Sequence, residues 1–138
     1  MHIKKQIKDI KHFSKMNVEE FRDYCLSFKG SHEGMPFEGF FRNSRSILVI
    51  YVKNKMFCFF DLDKFDSCTV KCAPDKIHSL KEEYNSIGKP FNLSPKYWIS
   101  AGFSGDVSDK MVKALVADSY QLVVQGLSKK EQKELITN

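Results

Sequence analysis

A chain of 138 residues that is 42% apolar and 28% charged has material for one hydrophobic core and falls outside the composition of disordered chains. No apolar run approaches the roughly 20 residues a transmembrane helix requires, and the start lacks the charged, apolar and small-residue succession of a secretory signal, so a cytoplasmic protein without membrane insertion is expected. The formal charge of +5 is lopsided: Lys4, Lys5, Lys8, Lys11 and Lys15 against Asp9 leave only +1 for residues 16–138, so the total says little about what the folded part binds.

Residues 1–15 read as a basic extension to a single domain over 16–138. Ile3, Ile7 and Ile10 recur in the extension at helical spacing among the lysines, a pattern open to an appendage before a second start at Met16, to nucleic-acid contact, or to membrane-surface contact. Asn17 followed by Glu20 has capping-box spacing, and Val18, Phe21, Cys25 and Phe28 form one stripe, which predicts a helix over 17–29 closed by a left-handed Gly30. Glycines and Pro36 across 31–46 suit a short strand and a loop. Ile47–Val52 and Met56–Leu62, separated by Lys53, Asn54 and Lys55, predict a hairpin, and Cys68–Cys72 a third strand of the same sheet. Pro74 suits the first position of a helix that buries Ile77, Leu80 and Tyr84, and Gly88 with Pro90 breaks it. Tyr97–Phe103 reads as a further strand. Ser108 and Asp109 open a long helix over 109–126. Strands cluster instead of alternating with helices, which predicts an α+β fold with an antiparallel sheet and helices packed against it.

Chemistry-bearing constellations are scarce. Three of Cys25, Cys58, Cys68 and Cys72 sit in predicted elements at positions for small buried hydrophobes, so reduced thiols are expected rather than disulfides. Cys68 and Cys72 on one strand would stand about 13 Å apart at ~3.3 Å per residue, too far to share a metal, and His2, His12, His32 and His78 are scattered. No metal, cofactor or catalytic set is expected. Asp61, Asp63 and Asp66 read as solvated carboxylates ending a strand, since the loop lacks the glycine and terminal Glu of a calcium loop. The remaining signal is Lys96, Tyr97 and Trp98, with Lys71 in a neighbouring predicted strand and Lys129 and Lys130 after the last helix. Lysines neutralise phosphates and a ring stacks on a base. The competing reading buries Trp98 in the core and leaves the lysines solvated.

Across about 17–131 the chain resembles the bacterial MmcQ/YjbR family. The resemblance is carried by Tyr24-Cys25-Leu26-Ser27 with Gly30 and Glu33, Pro36-Phe37, Lys55-Met56-Phe57, Asp61-Leu62, Lys71-Cys72 with Pro74, Lys96 and Trp98, Gly105-Asp106, Ser119-Tyr120, Leu122-Val123-Val124, Leu127 and Lys129-Lys130. It implies a compact α+β fold likened to a double-wing DNA-binding arrangement, no enzyme activity, and double-stranded DNA as partner. The matching positions are Lys71, Lys96 and Trp98, with Lys129 and Lys130 as further phosphate contacts. The chain departs from the family at Phe91–Tyr97, where members carry a His- and Lys-rich segment, and at Ala73, where a capping Asp is common and whose loss costs the helix about 1 kcal/mol. A rival of another class is an interaction module that binds a protein or small ligand through an aromatic pocket of Phe37, Phe40, Phe41 and Trp98. A thiol-dependent enzyme would instead require an exposed Cys25 or Cys72 among cations.

Overall fold

Asn17 starts the first helix as its spacing predicts: Oδ1 accepts the Glu20 N–H at 2.8 Å, and α1 runs Val18–Leu26 with Phe21 and Cys25 buried. The computed structural model describes residues 16–37, 46–90 and 92–137; the expected basic extension lies outside them. Helix α1 stops short of residue 29 because the Ser27 N–H and hydroxyl both donate to the Tyr24 carbonyl, tightening the last turn. Phe28 then leaves the helix to pack against Phe57 and Tyr120. Gly30 does adopt a positive φ, +76°, yet it turns the chain into the first strand instead of capping the helix. A side chain there would collide with Leu135.

Six strands form one antiparallel sheet in the order β1-β2-β3-β4-β6-β5. They are β1 Ser31–Gly34, β2 Ile47–Val52, β3 Lys55–Asp61, β4 Ser67–Lys71, β5 Ile87–Gly88 and β6 Trp98–Gly102. The expected hairpin is β2–β3, turned at Lys53 with φ +56°. Its register skips Phe57, since Ile50 faces Cys58 while Tyr51 faces Met56. This bulge lets Phe57 join Cys58 and Phe60 in the core where strict alternation would have turned it away. Gly88, expected only to break a helix, lies in β5, which pairs with Ser100 and Ala101 of β6.

The helices α1, α2 (Pro74–Glu83), α3 (Asp109–Gln125) and α4 (Lys129–Thr137) all contribute to the same side of the sheet. Phe21 of α1 meets Phe60 edge-on at 4.9 Å, Ile77 and Leu80 of α2 and Val112, Leu115 and Val116 of α3 join that core, and Leu135 of α4 packs against it. Ser119 of α3 ties helix to sheet: its hydroxyl accepts the Lys71 N–H at 2.8 Å and donates to the Phe57 carbonyl at 2.5 Å, spanning β4 and β3 beside the bulge. By alternation Val49, Tyr51, Phe59, Thr69, Lys71 and Trp98 point to the opposite face. Val49, at 1%, and Thr69, at 6%, are buried there as well.

Helix α4 was not foreseen. Ser128 and Glu131 form its capping box, with the Glu131 N–H donating to Ser128 Oγ at 3.1 Å and the Ser128 N–H donating back to Glu131 Oε1 at 3.3 Å. Two carboxylates anchor loops. Asp106 is 4% exposed and accepts the Asn85 and Ser86 N–H groups at 2.7 and 2.9 Å, while its own N–H donates to Ser86 Oγ at 3.0 Å. Gly105 lets that loop close on Ser86, because an added Cβ would come within 2.9 Å of the Ser86 Cβ. Asp61 corrects the expectation of a merely solvated strand end: one oxygen accepts from Ser46 Oγ at 2.6 Å and from the N–H groups of Asp63 and Lys64 at 2.8 and 3.0 Å. Burial raises the carboxyls of both Asp61 and Asp106, but these hydrogen bonds outweigh it and hold each below the usual carboxylate value.

Candidate nucleic-acid interface

The sheet order brings together what the sequence keeps 27 positions apart. Strand β6 returns beside β4, and Lys71 and Trp98 are direct cross-strand partners, so their side chains leave the same face as neighbours about 5 Å apart at Cβ. Trp98 is half-buried and outside the core cluster, which overturns the reading that placed it in the core. Tyr97 precedes it at the strand mouth, 42% exposed, with Lys96 Nζ 5.5 Å from its ring centroid. Ser94 fixes this approach: its carbonyl accepts the N–H groups of both Tyr97 and Trp98 at 3.2 and 3.1 Å, and the Tyr97 carbonyl accepts the Cys72 N–H at 2.8 Å. Lys89 follows Gly88, whose partner is Ser100, and so falls beside the opening of β6. Lys71, Lys96 and Trp98 are thus brought to one end of the sheet, with Tyr97 between the last two and Lys89 one residue past β5.

Lys129 and Lys130 are exposed but stand apart from that cluster in the chain's architecture, on the first turn of α4. Their position reflects the unforeseen helix. The aromatic pocket of the rival reading is not assembled from its described members: Phe37 follows β1 at one edge of the sheet, whereas Trp98 opens β6 four strands away. Phe40 and Phe41 lie outside the described residues.

A groove of about 420 Å³ lies between α2 and α3. Leu80, Met111, Leu115 and Leu122 give it an apolar lining, and Lys76, Asp75 and Asp118 place charges of both signs along it. Cys72 lines it yet is 6% exposed, and burial pushes its thiol up despite the nearby Lys76. Cys25 is fully buried. The thiol-dependent reading therefore loses the exposed, activated cysteine it required. All four cysteines are free and buried, and the burial of Cys58 beside Cys25 and Cys68 raises its thiol well above the ordinary value. Among the described residues no group of His, Cys, Asp and Glu side chains could hold a metal ion, and no helix is long and apolar enough to cross a membrane.

One antiparallel sheet with helices gathered on one side, and a lysine and aromatic cluster where β4 meets β6, define an α+β domain of the kind the sequence resembled. The chain belongs to the YjbR family, whose model matches residues 26–122. A crystal structure of Deinococcus radiodurans protein DR2400, carrying a DUF419 domain, is similar with a TM-score of 0.75 and 26% identity, covering 86% of this chain and 87% of that one. A protein from Pseudomonas syringae shares the fold with a TM-score of 0.62 and 22% identity, over 78% of this chain and 98% of its own. The uncharacterized protein YbdF of Escherichia coli O157:H7 is 33% identical over 66 residues, 48% of this chain and 54% of the relative. The match thus spans about half of that relative's length.

Proposed function

We propose that the protein is a cytoplasmic, non-enzymatic DNA-binding domain that holds the phosphate backbone with little sequence selectivity. The observation that carries this reading is the cross-strand pairing of Lys71 with Trp98, with Lys96 and Tyr97 alongside. The segment 84–105 that builds the rest of the cluster contains Lys89 and Lys96 and no acidic residue, so no carboxylate within it repels phosphate. No arginine lies in that segment either, which removes the usual bidentate reader of guanine and leaves backbone contacts dominant. The test is fluorescence anisotropy with a labelled partial duplex that offers paired and unpaired DNA, titrated with the full chain at low and near-physiological salt. Binding that weakens steeply with salt, and weakens again in Lys71→Ala/Lys96→Ala, is expected. Absence of binding at low salt would sink the reading.

The α2–α3 groove supports a second reading, a module for a small or peptide ligand carrying both charges. Its size falls in the range of ligand pockets, and Lys76 and Asp118 in its lining complement a zwitterion. Asp118→Ala separates the two readings, because the loss of an acid leaves DNA binding intact or strengthened while removing a partner for a ligand cation.

A further inference from the structure

Within the DNA-binding reading, on which this inference rests, we infer that the cluster takes unpaired bases: single-stranded DNA is the preferred ligand, with Tyr97 as the stacking ring and Lys71, Lys89 and Lys96 tracking the phosphates. Three observations carry it. First, Tyr97 is 42% exposed, although an aromatic ring of its size at the mouth of a strand is normally covered. Its backbone is fixed by the Ser94 and Cys72 hydrogen bonds on either side, so the ring is presented from an anchored strand end, which lowers the ordering cost of a base that stacks on it.

Second, among the described residues no helix stands on the cluster's side of the sheet to enter a duplex groove. The described helices contribute to the core on the other side of the sheet, and the strand flanking β6 is the two-residue β5, which leaves the Trp98 end of β6 beyond its pairing. A ring that enters a duplex must unstack a base step at a cost of a few kcal/mol, whereas a single strand offers its bases at little such cost. Third, among the Phe, Tyr and Trp rings of the described residues only Phe37 and Tyr97 are exposed, and Tyr97 is the one beside the lysines, while the Tyr51 and Phe59 rings on the outward face are half-buried.

The experiment uses the full chain and two labelled probes of equal length, an oligothymidine and a mixed-sequence duplex, at one salt concentration. The oligothymidine is expected to bind at least tenfold more tightly, and Tyr97→Ala to weaken it about tenfold while changing duplex affinity less than twofold, on the scale of one lost base-stacking contact. Tyr97→Phe keeps the ring and is expected to restore binding. Duplex affinity equal to or above that of the oligothymidine, or a Tyr97→Ala protein that binds it unchanged, overturns the single-strand inference and leaves the DNA reading standing. Failure of both probes to bind overturns both. An oligouridine that outcompetes the oligothymidine would also overturn it, by assigning the site to RNA.

Discussion

Asp106 is the residue whose environment most directly links sequence to stability. A carboxylate at 4% exposure survives in the fold because two backbone N–H groups satisfy it, and these donors sit in the turn that carries the chain from α2 into β5. Its folded-state pKa lies below the ordinary value. The stability it contributes is therefore fully present above the unfolded carboxylate range near pH 4 and is lost as pH falls through the depressed folded value. Asp106→Asn keeps the shape but replaces an acceptor by a donor facing an N–H, and is expected to lower unfolding free energy by about 1–3 kcal/mol at neutral pH. Urea titrations of both proteins from neutral to acidic pH check this: the gap between them should narrow as the pH drops, and a gap independent of pH would mean that the charge is irrelevant. The pairing of Gly105 with Ser86 belongs to the same loop. It explains the Gly105-Asp106 motif as an architectural feature and not a phosphate loop.

At the scale of elements, α2 is the helix with an evident defect. Ala73 occupies the N-cap in an extended conformation with φ −62° and ψ 131° and makes no side-chain cap bond. Ala73→Asp supplies an acceptor and a favourable charge at the helix start, and is expected to raise stability by about 1 kcal/mol, read as a higher urea midpoint with an unchanged slope. A falling midpoint would show instead that Asp75 and Asp118, which flank this end in the groove, already make it too acidic. Most elements were legible in the sequence because each is written locally: the Asn17 cap, the β2–β3 apolar runs, and the long stripe of α3. What was not legible depends on distant partners. Strand β5 has two residues and exists through its bonds to β6, and the bulge at Phe57 is a response to the Phe28 and Tyr120 rings. Helix α4 has no fully buried residue and no broad apolar stripe, although its Ser128–Glu131 capping box was present to be read. For the candidate site, the residue types were visible and their adjacency was not. Whether Lys71 meets Trp98 depends on β6 returning beside β4, and nothing local to either strand encodes that.

For the whole molecule, charge is distributed so that residues 1–15 and residues 16–138 have separable effects. Residues 1–15 carry +4 and residues 16–138 carry +1, while the β4–β6 cluster concentrates three lysines in a nearly neutral domain. Each phosphate neutralised by a lysine adds about 0.7–0.9 to the slope of log affinity against log salt. If the cluster is the interface, a chain truncated to 16–138 should keep a slope of about two to three, set by Lys71, Lys89 and Lys96. Lys71→Ala/Lys96→Ala in that truncated chain should remove about 1.5 of it. Lys129→Ala/Lys130→Ala, on the first turn of α4, should leave the slope unchanged. Anisotropy titrations across a salt series measure all three. A truncated chain with no slope at all would assign binding to the extension, and an equal loss from the α4 pair would widen the footprint to the helical end of the domain. Only the pattern in which the β4–β6 lysines matter and the α4 lysines do not ties binding to the strand pairing that sets Lys71 against Trp98.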